Sequence, residues 1–321
     1  MSKARDIVPV RVVALVGLAW LLAVAPLSGQ QQFQFILSVL DAGGAPVDHL
    51  TPADVVMAEQ GIANTIVDVQ PFRRPVKLTI AVDNGPASSE ALSHYRSGLA
   101  GLVKALPPDM EVSLLTIAPQ PRYVVKSTTD RDEIFAGINR FAPDSFAPRF
   151  TDTLVEFSKR MEDELEDNGN VVDSVPVLVI VSTTAAEATS YQVPAVDRAF
   201  QFLRGRRARL YIAMVTVRQF GTSPDQINEG RQTQIAIPAI EFIGGTYEPL
   251  AISNRLATLL PEWGEDIAAL HRKYDNQWLV TVQRREGLTG GLQQPAVGLV
   301  PEGLTGELSR DGLPVPPVYN P

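Results

Sequence analysis

Four apolar runs, Val76–Val82, Val112–Ile117, Val175–Val181 and Leu210–Val215, recur along the chain with helix-length segments between them. This rhythm constrains the fold more than any other feature. A run such as Val-Leu-Val-Ile-Val keeps no polar face for water, so it predicts a strand covered on both sides, as in parallel sheets. The intervening segments carry helix signals. Leu92, Leu99, Leu102, Val103 and Leu106 share one helical face after a start at Ser88 or Ser89, and Pro107-Pro108-Asp109 stops the run. Asp130 and Glu133 form a capping pair before Ile134, Phe135, Ile138 and Phe141. Further helices are expected over about 153–165, 195–203 and 235–243, the last ending at Gly244-Gly245, and Tyr123–Lys126 reads as a short extra strand. Strands alternating with helices imply right-handed crossovers and a doubly wound, mostly parallel α/β sheet.

The flanks follow another rule. Phe33, Phe35, Leu37 and Val39 fall on alternate positions, Asp41 to Val47 is turn chemistry, and 55–59 and 65–69 read as two more strands of a small meander. After the sheet, a helix over about 254–273 contains Pro261, where a break or kink is expected. Gln277–Gln283 and Ala296–Val300 read as strands, with Glu-Gly-Leu-Thr-Gly at 286–290 and again at 302–306 as two similar turns. Neither flank has enough strands to stand alone, so both are expected to pack as one accessory β module. The division is therefore 30–73 as an N-terminal β segment, 74–250 as the α/β domain, 251–310 as a helix plus C-terminal β segment, and 311–321 as a Pro-rich tail.

Residues 1–29 read as a targeting segment. Lys3, Arg5 and Arg11 precede 13 apolar residues, Val12 to Val24. A spanning helix needs about 20 residues and a signal-peptide core about 7–15. Cleavage is expected after Gly29, with Ala25 as the rival cut and a retained anchor as the other outcome. The mature chain would then be periplasmic or extracellular, with no membrane span.

Composition removes chemistry more than it supplies it. There is no Cys, so thiol nucleophiles, disulfides and Cys-based metal sites are excluded, and His49, His94 and His271 are scattered. Lys and Arg number 28 against 36 Asp and Glu, a net charge of −8 that disfavours sequence-independent nucleic-acid binding. No G-x-S-x-G elbow, P-loop or G-x-G-x-x-G cradle occurs. A hydrolase would have to be built on His94, which falls near the Ser88/Ser89 loop. Two charge clusters stand out: the acidic run Glu162-Asp163-Glu164 with Glu166-Asp167, and the basic knot Arg204, Arg206, Arg207 and Arg209. The first reads as a solvated helix end and the second as cations at a helix C-terminus, with an acidic partner as the sharper alternative.

In an open α/β sheet, ligands bind where strand order reverses, at the carboxyl ends of the strands. The loop after Val76–Val82 reads Asp83-Asn84-Gly85-Pro86-Ala87-Ser88-Ser89. A buried strand ending in Asp, a long helix, Pro-Pro-Asp and the strand Val-Ser-Leu-Leu-Thr-Ile resemble a von Willebrand factor type A domain. The segments Leu-Asp-Ala-Gly-Gly-Ala-Pro-Val, Leu50-Thr51-Pro52-Ala53-Asp54-Val55 and Ile243-Gly244-Gly245-Thr246-Tyr247 resemble the flanks of secreted bacterial proteins of that kind. The likeness runs over about Phe33 to Ser309. It implies a Rossmann-like sheet and a metal-ion-dependent adhesion site, D-x-S-x-S plus a Thr and a second Asp, holding Mg²⁺ or Ca²⁺ through oxygens.

Here the adhesion motif is degenerate. Asp83 matches the first Asp, but Gly85 and Ala87 replace the two serines, and Thr183-Thr184 stand where Asp-Gly is expected. Ser88 and Ser89 come one and two residues late, and the threonine is Thr151 or Thr153. If a metal binds, Asp83, Ser88 and Thr151 would hold it; otherwise Asp83 and the serines cap the first helix. The expectation is a non-enzymatic module without cofactor, binding a protein or surface polymer through Asp83, Ser88, Ser89, Thr151, Thr153 and Thr183. A rearranged metal-dependent site is the alternative, and an exported hydrolase a further one.

Overall fold

The computed structural model describes residues 32–217, 230–286 and 295–308. The targeting segment 1–29, the tail 311–321 and nearly all of the first Glu-Gly-Leu-Thr-Gly lie outside those residues.

The described chain begins on β1 (Gln32–Leu40), followed by β2 (Val55–Glu59), the two-residue β3 (Ile62–Ala63) and β4 (Thr65–Phe72). From the other end come β11 (Gln277–Gln283), β12 (Pro295–Leu299) and β13 (Thr305–Leu308). These strands form one module from both flanks, but not the expected meander. β1 lies between β13 and β11, β4 joins the far side of β11, and β2 pairs with β12 and β3 in a second sheet. Alternation along a strand says which face is buried; it does not say which neighbour supplies the backbone partners. Leu37 and Val39 of β1, Val55 and Met57 of β2, and Trp278, Val280 and Val282 of β11 share the apolar interior between the two sheets. Across that interior Arg284 Nε donates to Glu59 Oε2 at 2.9 Å and Nη2 to Oε1, with both side chains buried.

Between the flanks run β5 (Val76–Val82), α1 (Leu92–Ala105), β6 (Glu111–Thr116), β7 (Arg122–Thr128), α2 (Arg131–Arg140), α3 (Phe150–Asp167), β8 (Val175–Thr183), α4 (Val193–Gly205), β9 (Arg209–Val215), α5 (Arg231–Ile243), β10 (Gly245–Leu250) and α6 (Leu256–Asp275). The sheet order is β10-β9-β8-β5-β6-β7, parallel except for β7 at one edge. Strand side chains divide with period 2. Leu78, Ile80, Val177, Val179 and Val181 pack with α1, α2 and α6, while Ala81, Leu178 and Ile180 pack with α3, α4 and α5. The apolar runs are thus covered on both faces, as their sequence requires.

Two helix expectations change. Ser88 and Ser89 do not cap α1. Pro86 opens a separate 3₁₀ turn over Pro86–Ala91, and α1 starts only at Leu92 behind Ala91, without a side-chain cap. Proline's fixed φ and missing N–H suit a first helical position, so Pro86 takes the start away from the serines. α6 is one helix that continues through Pro261 rather than breaking there. Its neighbour explains this: a side chain at Gly101 of α1 would meet Pro261 Cγ at 2.6 Å, so only glycine there seats the ring. The rest of the seam is equally close. A Cβ at Gly98 would lie 2.6 Å from the Leu256 carbonyl oxygen, and one at Gly264 would lie 2.7 Å from that of Leu102. Gly98→Val is therefore expected to force α1 and α6 apart and cost about 1–3 kcal/mol, read by chemical denaturation. Stability equal to the native chain would mean that the seam is looser than described.

α6 also ties the two units together. Arg74, wholly buried where β4 gives way to β5, lies between the rings of Phe72 and Tyr274 at 5.0 and 5.4 Å, and its Nη2 donates to Gln277 Oε1 at 2.8 Å.

Candidate functional site

β5 and β8 are adjacent, and chain connectivity leaves in opposite directions from them, to β6 on one side and β9 on the other. Their carboxyl ends form the switch point, and Asp83 stands immediately after β5. It is fully buried, with no cation beside it among the described residues. Its Oδ1 accepts the Gly85 N–H at 2.8 Å, while Thr183 Oγ1 donates to Oδ2 at 3.0 Å. Ser182 Oγ lies 3.1 Å from the same Oδ2 and 2.5 Å from Gln232 Oε1. Gln232 Nε2 donates to the Ala185 carbonyl at 3.0 Å, which fixes the amide with Oε1 towards Ser182.

Proton counting follows from this geometry. The Ser182 hydroxyl has one proton and two acceptors, Gln232 Oε1 being much the nearer. With that proton on Gln232, an ionised Asp83 would oppose lone pair to lone pair at Ser182. A proton on Asp83 Oδ2 removes the conflict by donating to Ser182 Oγ. Burial acts in the same direction, raising the Asp83 pKa above the ordinary carboxylate value against the hydrogen bonds from Gly85, Thr183 and Ser182.

The remaining residues named from the sequence lie nearby in topology but have other partners. Ser88 is buried and its Oγ donates to the Gly85 carbonyl at 2.8 Å, while Ser89 is exposed. Thr151 and Thr153 fall in the first turn of α3 and are buried. Thr153 Oγ1 donates to the Arg149 carbonyl at 2.8 Å. Thr151 is held by a residue that the sequence reading missed: its N–H and Oγ1 donate to Glu187 Oε2 and Oε1 at 2.8 and 2.6 Å. Glu187 is buried with Arg231 Nε 3.8 Å away, and desolvation raises its pKa despite these contacts. α3 has no local side-chain cap, so Glu187 supplies one from the loop after β8. Asp152 returns the contact, accepting from Thr189 Oγ1 at 2.5 Å, from Ser190 Oγ at 2.9 Å and from Arg149 Nη1 at 2.9 Å. Its pKa is lowered because these bonds outweigh desolvation, the largest opposing influence. Two carboxylates thus clamp loop 184–192 onto the start of α3. Of the six side chains expected to form a binding face, only Ser89 is exposed; the other five form the interior beneath it.

His94 and His271 are held by other partners. His94 Nδ1 lies 2.8 Å from Ser253 Oγ, but among the described residues no carboxylate is bonded to the ring's other nitrogen, so the orienting acid of a triad is missing. Asp109, His271 and Asp275 bring their ligand atoms within 4.8 Å of one another. However, His271 Nδ1 accepts the Val76 N–H at 3.2 Å, which leaves the ring proton on Nε2, the nitrogen 3.5 Å from Asp109 Oδ2. A metal needs a bare lone pair at that atom.

The sheet thus has a central strand that leads into a buried Asp, flanked by β6-β7 and by β8-β9-β10, with helices on both faces. The fold is von Willebrand type A-like. No family profile matches the sequence, and no curated protein matches it. Solved structures similar to it include a von Willebrand factor type A from Catenulispora acidiphila, with a TM-score of 0.46 and 10% identity over 88% of this chain and 74% of that one. BatB from Bacteroides thetaiotaomicron follows with a TM-score of 0.43 and 11% identity over 60% and 99%. An aerotolerance-related membrane protein from Bacteroides fragilis has a TM-score of 0.41 and 12% identity over 60% and 99%. Among the described residues of this type A-like chain, no helix is long and apolar enough to cross a membrane.

The adhesion site that such a fold implies needs carboxylate and hydroxyl oxygens converging on one open point. The residues present do not fit it. Gly85 and Ala87 offer no side-chain oxygen, Thr183 stands for the second Asp, and both oxygens of Asp83 already accept hydrogen bonds. Thr151 and Ser88 are bonded to Glu187 and Gly85 instead.

Proposed function

We propose that the protein is an exported, non-enzymatic binding module that engages a protein or surface polymer, without a divalent ion, through the loops at the carboxyl ends of its parallel strands. The carrying observation is the closed network around Asp83, whose two oxygens are engaged by Gly85, Ser182 and Thr183. In a site closed in this way, a partner's carboxylate has no open metal position to complete. Contact would fall on what the loops expose. Phe146 stands on the loop that contacts Asn84, Val193 follows the clamped loop 184–192, and Ile252 follows β10; all three are exposed. Apolar tips above a satisfied polar floor suit recognition by shape and desolvation. Export rests on the basic start and 13-residue apolar run of the N-terminal segment.

Calorimetric titration with Mg²⁺ or Ca²⁺ is expected to give no saturable heat. A pull-down from an envelope extract is expected to recover the same partner with and without EDTA. A partner lost on adding EDTA, or millimolar metal binding abolished in Asp83→Asn, would overturn the metal-free reading.

A further inference from the structure

The acidic run and the basic knot of the sequence meet at the opposite end of the sheet. Arg206 ends α4 and lines a cleft of about 310 Å³ together with Lys77 of β5, Glu164 and Asp167 of α3, and Asp173 and Ser174 before β8. The volume is at the small end of ligand pockets, which span about 300–1,000 Å³. Arg206 is only 7% exposed, and its Nε and Nη1 are sealed from water without a hydrogen-bond acceptor. The half-buried Arg131 and Arg96 also have sealed nitrogens without an acceptor, but each donates through Nη2, Arg131 to the Pro107 and Met110 carbonyls and Arg96 to that of Phe141. Buried donors in folded proteins are normally satisfied, and a guanidinium taken out of water without an acceptor is costly. Desolvation lowers the Arg206 pKa, with Asp173 and Glu164 acting against it.

The cleft defines what could approach the part of Arg206 that is not sealed. The acceptor must reach Arg206 past Glu164, Asp167 and Asp173, so a bare anion meets three like charges. Lys77 is already 3.7 Å from Glu164. Two cations against three carboxylates leave the lining with one negative charge, and Leu165 and Val171 add apolar surface. A ligand with a carboxylate, a short aliphatic chain and an ammonium group complements these features.

We propose that this cleft binds a lysine-like zwitterion, its carboxylate on Arg206 and its ammonium on Asp167 and Asp173, either as the free amino acid or as the C-terminal residue of a peptide. The site lies away from the loops assigned to partner binding and does not depend on that assignment.

Calorimetry on the full chain tests it with L-lysine, Nα-acetyl-lysine, lysinamide and acetate. Saturable L-lysine binding is expected, with lysinamide, which lacks the carboxylate, weaker by at least about tenfold, or about 1.4 kcal/mol. Nα-acetyl-lysine binding as tightly as lysine identifies a peptide terminus; loss of binding on acetylation identifies the free amino acid. Arg206→Gln is expected to abolish binding. Asp173→Asn, at an exposed position, is expected to weaken it about tenfold. The proposal is overturned if neither lysine nor its acetyl derivative binds up to about 10 mM, if lysinamide or acetate binds equally well, or if both variants keep native affinity.

Discussion

At neutral pH Asp83→Asn is expected to fold at least as stably as the native chain, whereas Asp83→Ala loses about 3–5 kcal/mol. The alanine variant strands the Gly85 N–H and the Thr183 hydroxyl in a buried space and takes the donor away from Ser182 Oγ, each unsatisfied group costing about 1–3 kcal/mol. Asparagine keeps the carbonyl that accepts from Gly85, and its amide hydrogens can reach Ser182 Oγ and Thr183 Oγ1. It reproduces the protonated acid towards Gly85 and Ser182, turns Thr183 from donor to acceptor, and removes the desolvation cost of the charge. The pH dependence follows in sign. A carboxyl whose folded pKa is raised contributes stability that is fully present below its unfolded pKa and is lost as pH rises through the folded value. Native and Asp83→Asn proteins should therefore be similar near pH 4, with the variant gaining from about pH 4 upward. Denaturation at a series of pH values checks this. A variant less stable than the native chain at every pH would show that Asp83 is held as a carboxylate.

Glu59→Ala is expected to cost about 3–5 kcal/mol, because it leaves Arg284 charged inside the accessory module. Removing both partners behaves differently. Replacing Glu59 and Arg284 together by methionine should recover most of that loss, since the pair's own attraction only repays its desolvation. A double-mutant cycle, with unfolding followed through the buried Trp278, separates the two cases. If the double variant is as unstable as Glu59→Ala, the loss belongs to packing rather than to the broken ion pair.

The central sheet could be read from sequence because a strand buried on both faces must be apolar throughout, as Val175–Val181 is. β10 escaped that test. It lies at the sheet edge, has only Leu250 fully buried and contains Pro249, so its Gly-Thr-Tyr-Glu-Pro-Leu carries no apolar run. Asp83 could be located because it ends the central strand, and the missing partner carboxylate was visible at Thr183. What closes the site was not. Glu187 reaches Thr151 from 36 residues away, and Gln232 reaches Ser182 from 50. No local spacing connects them, and only the crossovers bring their loops together. The flank pairings failed for a related reason: period 2 gives a strand's inward face, while its neighbour is set by what the rest of the chain places beside it.

β1 sits between β11 and β13, so the ends of the described chain share one sheet, with Gln277 Nε2 donating to Ser38 Oγ across 239 residues. Closing so long a loop carries its entropy cost before any strand contact is gained. During synthesis or threading from the amino end, β1 therefore has both edges unpaired until almost everything else has emerged. The accessory module acts as a late clasp, and a chain arrested before β11 would display a sticky strand Gln32–Leu40 to any chaperone at hand.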